Sequence, residues 1–269
     1  MSPENGLNTT SFISAWHLKH QQHFKFGLSS LDELMPKGVP AGSLALIQGN
    51  IPHKLLRSLV THLVVGLLTT HPAFDIAFVD GANLFPYYEI AEECRRRGKN
   101  PLNLLGKISL ARAFNFHQMT EILINNIPQL LDENPRVCII LVPQISSHYF
   151  SKEAIQYLQY DNLTIGESSL LELNQAMGKL KSLILKNGLL GIMTASSAPF
   201  SHQKPLGGTY LTHSACPIIR VAAVRSSVRK DHSLVFTLQK DPTRGMVQID
   251  QSIEVKKNKN RQSVLTRFW

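Results

Sequence analysis

From Phe26 onward, short continuous apolar runs alternate with longer stretches in which apolar residues return every three or four positions. The first kind reads as buried strand and the second as amphipathic helix. Ser29 as cap, followed by Leu31, Leu34 and Met35, predicts a short helix, and a Gly/Pro turn then leads into a strand at Ser43–Gln48. A helix is expected over about Leu55–Thr69, a strand in "DIAFVDG" ending at Asp80, and a helix over Tyr87–Arg97 with Gly98 as its stop. "KISLARAF" predicts a strand, Gln118–Leu131 a helix, and "RVCIILV" a buried strand. Leu170–Lys186 reads as a helix closed by Asn187 and Gly188, with "LLGIMTAS" as the strand after it. "PIIRVAAVRSS", "HSLVFTLQK" and "GMVQID" read as antiparallel strands joined by polar turns. Strands alternating with helices predict an α/β fold: a mostly parallel, twisted sheet with helices on both faces and a terminal antiparallel β-meander.

The flanks differ from this core. Residues 1–24 are polar and His-rich and read as a flexible segment, 25–252 as the core domain, and 253–269 as a basic tail. His17, His20 and His23 are spaced for one face of a helix, but no carboxylate or cysteine accompanies them, so a solvated segment is the simpler reading than a metal site. The apolar fraction of 43% is ordinary for a globule, and no run approaches the ~20 residues that span a bilayer. The polar N-terminus lacks a basic and then apolar leader, so no secretion or membrane partner is expected. Cys94, Cys138 and Cys216 lie too far apart for a CxxC pair and read as reduced core thiols. Against 19 Asp and Glu stand 28 Lys and Arg, a net charge of +9 that favours polyanions such as nucleic acid.

Four stretches carry a more specific signal: "GLSSLDELMPKGVPAGSLALIQG", "ISLARAFNFHQM", "SSHYF" and "PLGGTYLTHSA", in that order between about 27 and 249. Together they resemble the RadA branch of the RecA-type recombinases, the archaeal and eukaryotic kind. The "ARAFN" segment is the most specific of the four. The resemblance implies a RecA-like core.

The resemblance also shows what this chain lacks. An ATPase of this kind needs a glycine-rich loop to cradle phosphates, a Lys on the β/γ-phosphates and a Ser/Thr on Mg²⁺. The equivalent stretch runs from Gly49 to Arg57. Pro52 removes a backbone donor there, Leu55 stands at the lysine position, Leu56 at the threonine position, and Lys54 sits one residue early. Ala82 takes the place of the catalytic glutamate, although Asp80 and Asn83 remain. Pro143 replaces the Mg²⁺-associated aspartate, Ala195 and Ser196 the γ-phosphate sensor, and Lys240 an acidic residue over the nucleotide. Metal-bridged phosphoryl transfer needs such groups together, so no catalysis, nucleotide cofactor or metal is expected.

For DNA, the resemblance places Arg112 on a phosphate and Gly207 and Gly208 at the close of a DNA-binding loop, and Arg225, Arg229 and Lys230 form a basic turn. The alternatives are an Arg112 paired with a carboxylate and a merely solvated hairpin. "SFISAW" contains Phe12-x-x-Ala15, similar to the peptide by which RadA-like recombinases dock on a neighbouring protomer. The expected role is that of a non-catalytic recombinase paralogue, an accessory factor in homologous recombination or DNA repair. Its partners would be a sliding clamp, a recombinase or paralogue, and DNA without sequence preference. It would be cytoplasmic and nucleoid-associated in an archaeal cell, or nuclear in a eukaryotic one. A divergent or partner-completed DNA-dependent ATPase and a scaffold for translesion polymerases are the alternatives.

The clamp expectation comes from the last residues. Gln262, Leu265, Phe268 and Trp269 fit Q-x-x-h-x-x-a-a and resemble the PCNA-interacting peptide. A single 3₁₀ turn gathers Leu265, Phe268 and Trp269 into one apolar plug behind a basic linker; the alternative is that the aromatics pack on their own domain. Replacing Phe268 and Trp269 by Ala is expected to remove most clamp binding, at about 2 kcal/mol or more for each ring. Calorimetry with the clamp of the same organism checks it. Equal binding by a chain ending at Asn260 would make the motif a coincidence.

Overall fold

The computed structural model describes residues 22–151, 167–198, 201–225, 232–241 and 247–249. Phe12, Ala15, His17 and His20, the basic pair Arg229 and Lys230, and the tail residues Gln262, Leu265, Phe268 and Trp269 lie outside them.

The chain opens with β1 (His23–Phe24), α1 (Ser29–Leu34) and β2 (Val39–Pro40). Then β3 (Ser43–Gln48) leads into α2 (His53–Thr70), and β4 (Asp75–Asp80) into α3 (Tyr87–Arg96) and α4 (Pro101–Leu105). β5 (Ile108–Arg112) is followed by α5 (Phe116–Glu121), a π turn (Ile122–Asn126) and α6 (Ile127–Glu133). β6 (Val137–Val142), α7 (Glu167–Asn187) and β7 (Leu190–Ala195) come next, then the small pair β8 (Ser197–Ala198) and β9 (Ser201–Pro205). The last elements are α8 (Gly208–Ser214), β10 (Ile218–Arg225), β11 (His232–Lys240) and β12 (Val247–Ile249).

The main sheet has the order β12-β11-β10-β3-β7-β6-β4-β5. From β10 to β5 every pairing is parallel, and β10–β11 and β11–β12 are antiparallel. The terminal meander is therefore seen in its pairings, while its turns fall outside the described residues. Helices cover both faces, and the strand side chains alternate between two apolar clusters. Ala45, Ile47, Ile76, Phe78, Ile139 and Leu141 join α1 to α4 on one face. Leu44, Leu46, Ala77, Val79, Ile140 and Val142 join α5 to α8 on the other. Two-sided burial explains why these strands read as continuous apolar runs. Among the described residues no helix is long and apolar enough to cross a membrane.

Several expectations need correction. Phe24, assigned to the polar leader, is 1% exposed and packs in the core, because β1 pairs with β2. Ser29 is not the cap of α1: it is its first residue, Leu28 holds the cap position, and the Asp32 carboxylate accepts the Phe26 N–H at 2.8 Å. Burial pushes the Asp32 pKa up, against the lowering effect of these backbone donors. The expected helix over Gln118–Leu131 is interrupted, since Pro128 offers no N–H and a wider π turn takes up the slack. Cys94 is buried, Cys138 and Cys216 are half-buried, and burial pushes all three thiols up.

One close approach fixes α2. A Cβ on Gly66 would lie 2.5 Å from the Phe26 carbonyl oxygen and 2.6 Å from that of Gly27. Gly27 has φ +67 and itself faces the Gly66 carbonyl. Gly66→Ala is expected to lower stability by about 2 kcal/mol or more in urea unfolding. Gly178→Ala in α7, where the nearest contact is the Tyr210 hydroxyl at 3.5 Å, should instead gain about 0.5–1 kcal/mol.

Candidate functional site

The resemblance places the nucleotide machinery at the ends of four strands: β3, β4, β6 and β7. In the sheet these four are contiguous, in the order β3-β7-β6-β4, so their carboxyl ends form one edge. The residues that stand there bond to one another. After β3 the loop is short, and α2 begins at His53 with Pro52 as its cap. The Gly49 N–H is taken by the Ala195 carbonyl and the Ile51 N–H by that of Gly49; the Pro52 carbonyl accepts from Leu55 and Leu56. A Cβ on Gly49 would lie 1.9 Å from the Val221 carbonyl oxygen, so the turn sits hard against β10. Leu55 and Leu56 are 4% and 3% exposed and belong to the core, while Lys54 is exposed.

Across from this turn, the Asn50 side-chain oxygen accepts the Ser197 N–H at 3.0 Å. The Ser196 hydroxyl donates to the Gln144 side-chain oxygen at 2.9 Å, and the Gln144 N–H donates to the Thr194 hydroxyl at 2.9 Å. Gln144 follows Pro143 and takes φ +52. Ser196, at the sensor position, is thus bonded to the residue that follows Pro143. Lys240, expected over the nucleotide, donates to the Thr212 and Ala215 carbonyls at 3.2 and 3.0 Å. It closes the negative end of α8.

Asp80 also has a local duty. It is fully buried, accepts the Leu84 N–H at 2.8 Å and the Phe85 N–H at 3.0 Å, with Ala82 at 3.3 Å, and so shapes the loop after β4. The Arg112 Nε lies 3.7 Å from its carboxylate, yet the Arg112 side chain remains 43% exposed. The carboxylate pairing considered for Arg112 is therefore present, in a loose form that leaves much of the guanidinium facing outward.

Of the expected DNA residues, Arg112 and the pair Gly207 and Gly208 lie on different elements. Arg112 ends the outermost strand β5, whereas Gly207 and Gly208 begin α8, which packs on α7, β9 and β3. Four strand spacings, roughly 19 Å, separate β5 from β3. Gly207 has φ +107 and a Cβ there would meet Leu211 at 2.6 Å; Gly208 has φ +71 and open space around it. Arg225 ends β10 opposite His232.

Sequence reading missed a cleft of about 350 Å³ beyond the ends of β4, β5 and β6, lined by Gly81, Asn83, Arg112, Phe114, Ser147 and His148. It joins two of the stretches that carry the resemblance: a His148 ring nitrogen lies 3.0 Å from the Ala113 carbonyl oxygen. Beneath, the Tyr149 hydroxyl meets Thr120 at 2.9 Å, Thr120 donates to Glu172 at 3.1 Å, and His117 lies 3.2 Å from Glu172. Burial pushes the Tyr149 pKa up, so the phenol stays protonated.

In comparisons with known proteins, the chain matches no protein-family model, and no curated protein matches it.

The buried places of Leu55 and Leu56 generate a prediction. Introducing the residues that the resemblance would put there, Leu55→Lys and Leu56→Thr, places polar groups among apolar ones and should cost about 3 kcal/mol or more. Leu56→Thr alone should cost about 2 kcal/mol. Neither variant is expected to gain a melting shift from Mg²⁺-ATP. Thermal unfolding with and without nucleotide reads both effects.

Proposed function

We infer that this protein is a non-hydrolysing accessory factor of DNA recombination or repair, a RadA-type recombinase paralogue with a RecA-like core and a tail for a PCNA-type clamp. One observation carries the reading. The positions that the resemblance assigns to ATP chemistry converge on the edge formed by β3, β7, β6 and β4, where Gly49 bonds to Ala195, Asn50 to Ser197, and Ser196 to Gln144 beside Pro143. Convergence of residues scattered from Gly49 to Ser196 supports common descent with a nucleotide-binding core. Their mutual bonding, with Leu55 and Leu56 in the apolar core, supports loss of the reaction. The contact of the "ARAF" and "SSHYF" stretches through Ala113 and His148 is further support.

The role that follows is to bring DNA or a recombinase to the clamp without turnover. DNA binding is expected to be weak and without sequence preference, and log K should fall linearly with log salt. The direct test is steady-state ATP hydrolysis by the full chain, alone and with DNA and clamp, beside filter binding of single- and double-stranded DNA. No turnover above a control preparation is expected. Magnesium-dependent turnover abolished by Lys54→Ala would replace this reading with a divergent ATPase. No retention of DNA even at low salt would leave a factor that acts through protein contacts alone.

A further inference from the structure

We propose that the cleft beyond β4, β5 and β6 is a binding site for one nucleotide unit, with the phosphate on Arg112 and the base against Phe114. The argument begins with topology. In open α/β sheets, ligands lie outside the carboxyl ends of strands where neighbouring connections leave to opposite faces. This sheet has three such places. One lies between β3, which leads to α2, and β7, which precedes α8; there Asn50 is bonded to Ser197 and the gap is spanned. The other two flank β4, which leads to α3, since its neighbours β6 and β5 lead to α7 and α5 on the opposite face. The cleft is found there, and its volume falls in the range of small-molecule sites, about 300 Å³ upward.

Its chemistry is that of a nucleotide. The Arg112 guanidinium is 43% exposed and makes no hydrogen bond among the described residues. Among the described residues its carboxylate neighbour is Asp80, which already accepts three backbone N–H groups. Such a guanidinium suits a phosphate, which it can grip with two parallel N–H groups. The Phe114 ring is 74% exposed at the cleft wall and offers an apolar face to a planar base. The His148 nitrogen at the Ala113 carbonyl must carry the proton, because a carbonyl only accepts, which leaves Nδ1 of the neutral ring as an acceptor. A cation, an aromatic face and a ring acceptor around one cleft together fit phosphate, base and polar base edge.

The nucleotide can come free or as part of a single strand, and the test separates the two sources. The full chain is titrated by calorimetry with AMP, adenosine, inorganic phosphate and a short thymidine oligonucleotide. AMP should bind better than adenosine or phosphate. Phe114→Ala, at an exposed position that leaves the core intact, should weaken AMP about tenfold. Arg112→Gln should bring AMP down to the level of adenosine while adenosine binding stays unchanged, which a merely structural role for Arg112 would not produce. AMP without oligonucleotide binding assigns a free nucleotide. Oligonucleotide binding that is tighter than AMP, with the same loss in Phe114→Ala, assigns a strand. No binding of either in the millimolar range, or binding indifferent to both substitutions, overturns the proposal. The strand arm rests on the DNA reading above and the AMP arm does not, so an AMP site in a chain that retains no DNA would remove that reading and keep this one.

Discussion

A parallel strand buried on both faces has no polar side to present, and that constraint organises this molecule. All six residues of β4 and all six of β7 are buried, so their side chains answer to two apolar clusters at once. Polar groups are pushed to the strand ends. Asp75 opens β4 and is held by Arg136 at 2.8 Å; Asp80 closes it and is held by three backbone N–H groups. Gln48 and Thr194 stand near the ends of β3 and β7. Variation in chemistry is thereby confined to the edges of the sheet, where it costs the core least.

The carboxyl edge has two unlike halves. Over β3 and β7 the polar groups satisfy one another: Asn50 with Ser197, Ser196 with Gln144, Gln144 with Thr194. A ligand entering there would have to replace bonds already made, at about 1 kcal/mol or more for each buried group left unpaired. Over β4, β5 and β6 the reverse holds, with a half-exposed Arg112 side chain and the exposed ring of Phe114. Water or a ligand must complete that half.

The central strands and long helices were legible because their signals are long. "RVCIILV" and "LLGIMTAS" are unbroken apolar runs, and the lengths of α2, α3 and α7 exceed two turns. The five residues of α4 and seven of α8 are too few to show a period, and both were missed. Ser29 misled because serine commonly caps, while the entry to α1 is in fact braced from inside the helix by Asp32. Leu55 and Leu56 were read as lost ATP contacts, and their apolar character is also what seats them in the core. The cleft was invisible for a different reason. Gly81, Arg112 and His148 lie about thirty residues apart, and only the strand order, in which β4 sits between β6 and β5, makes them neighbours.

The meeting of Gly66 with Gly27 bears on movement. In nucleotide-driven machines the helix behind the phosphate loop is a lever, and it shifts when the ligand changes. On the reading proposed above that helix would be α2, and its far half is wedged against the carbonyls of Phe26 and Gly27 with no side chain between them. Its near half is clamped to α3 by Arg57, which reaches Glu89 at 3.0 Å. Sliding α2 towards β1 would force backbone into backbone, and drawing it away would open a void lined by Phe26 and Leu63. Held at both ends, α2 is a strut rather than a lever, so any signal this protein carries must travel by another route.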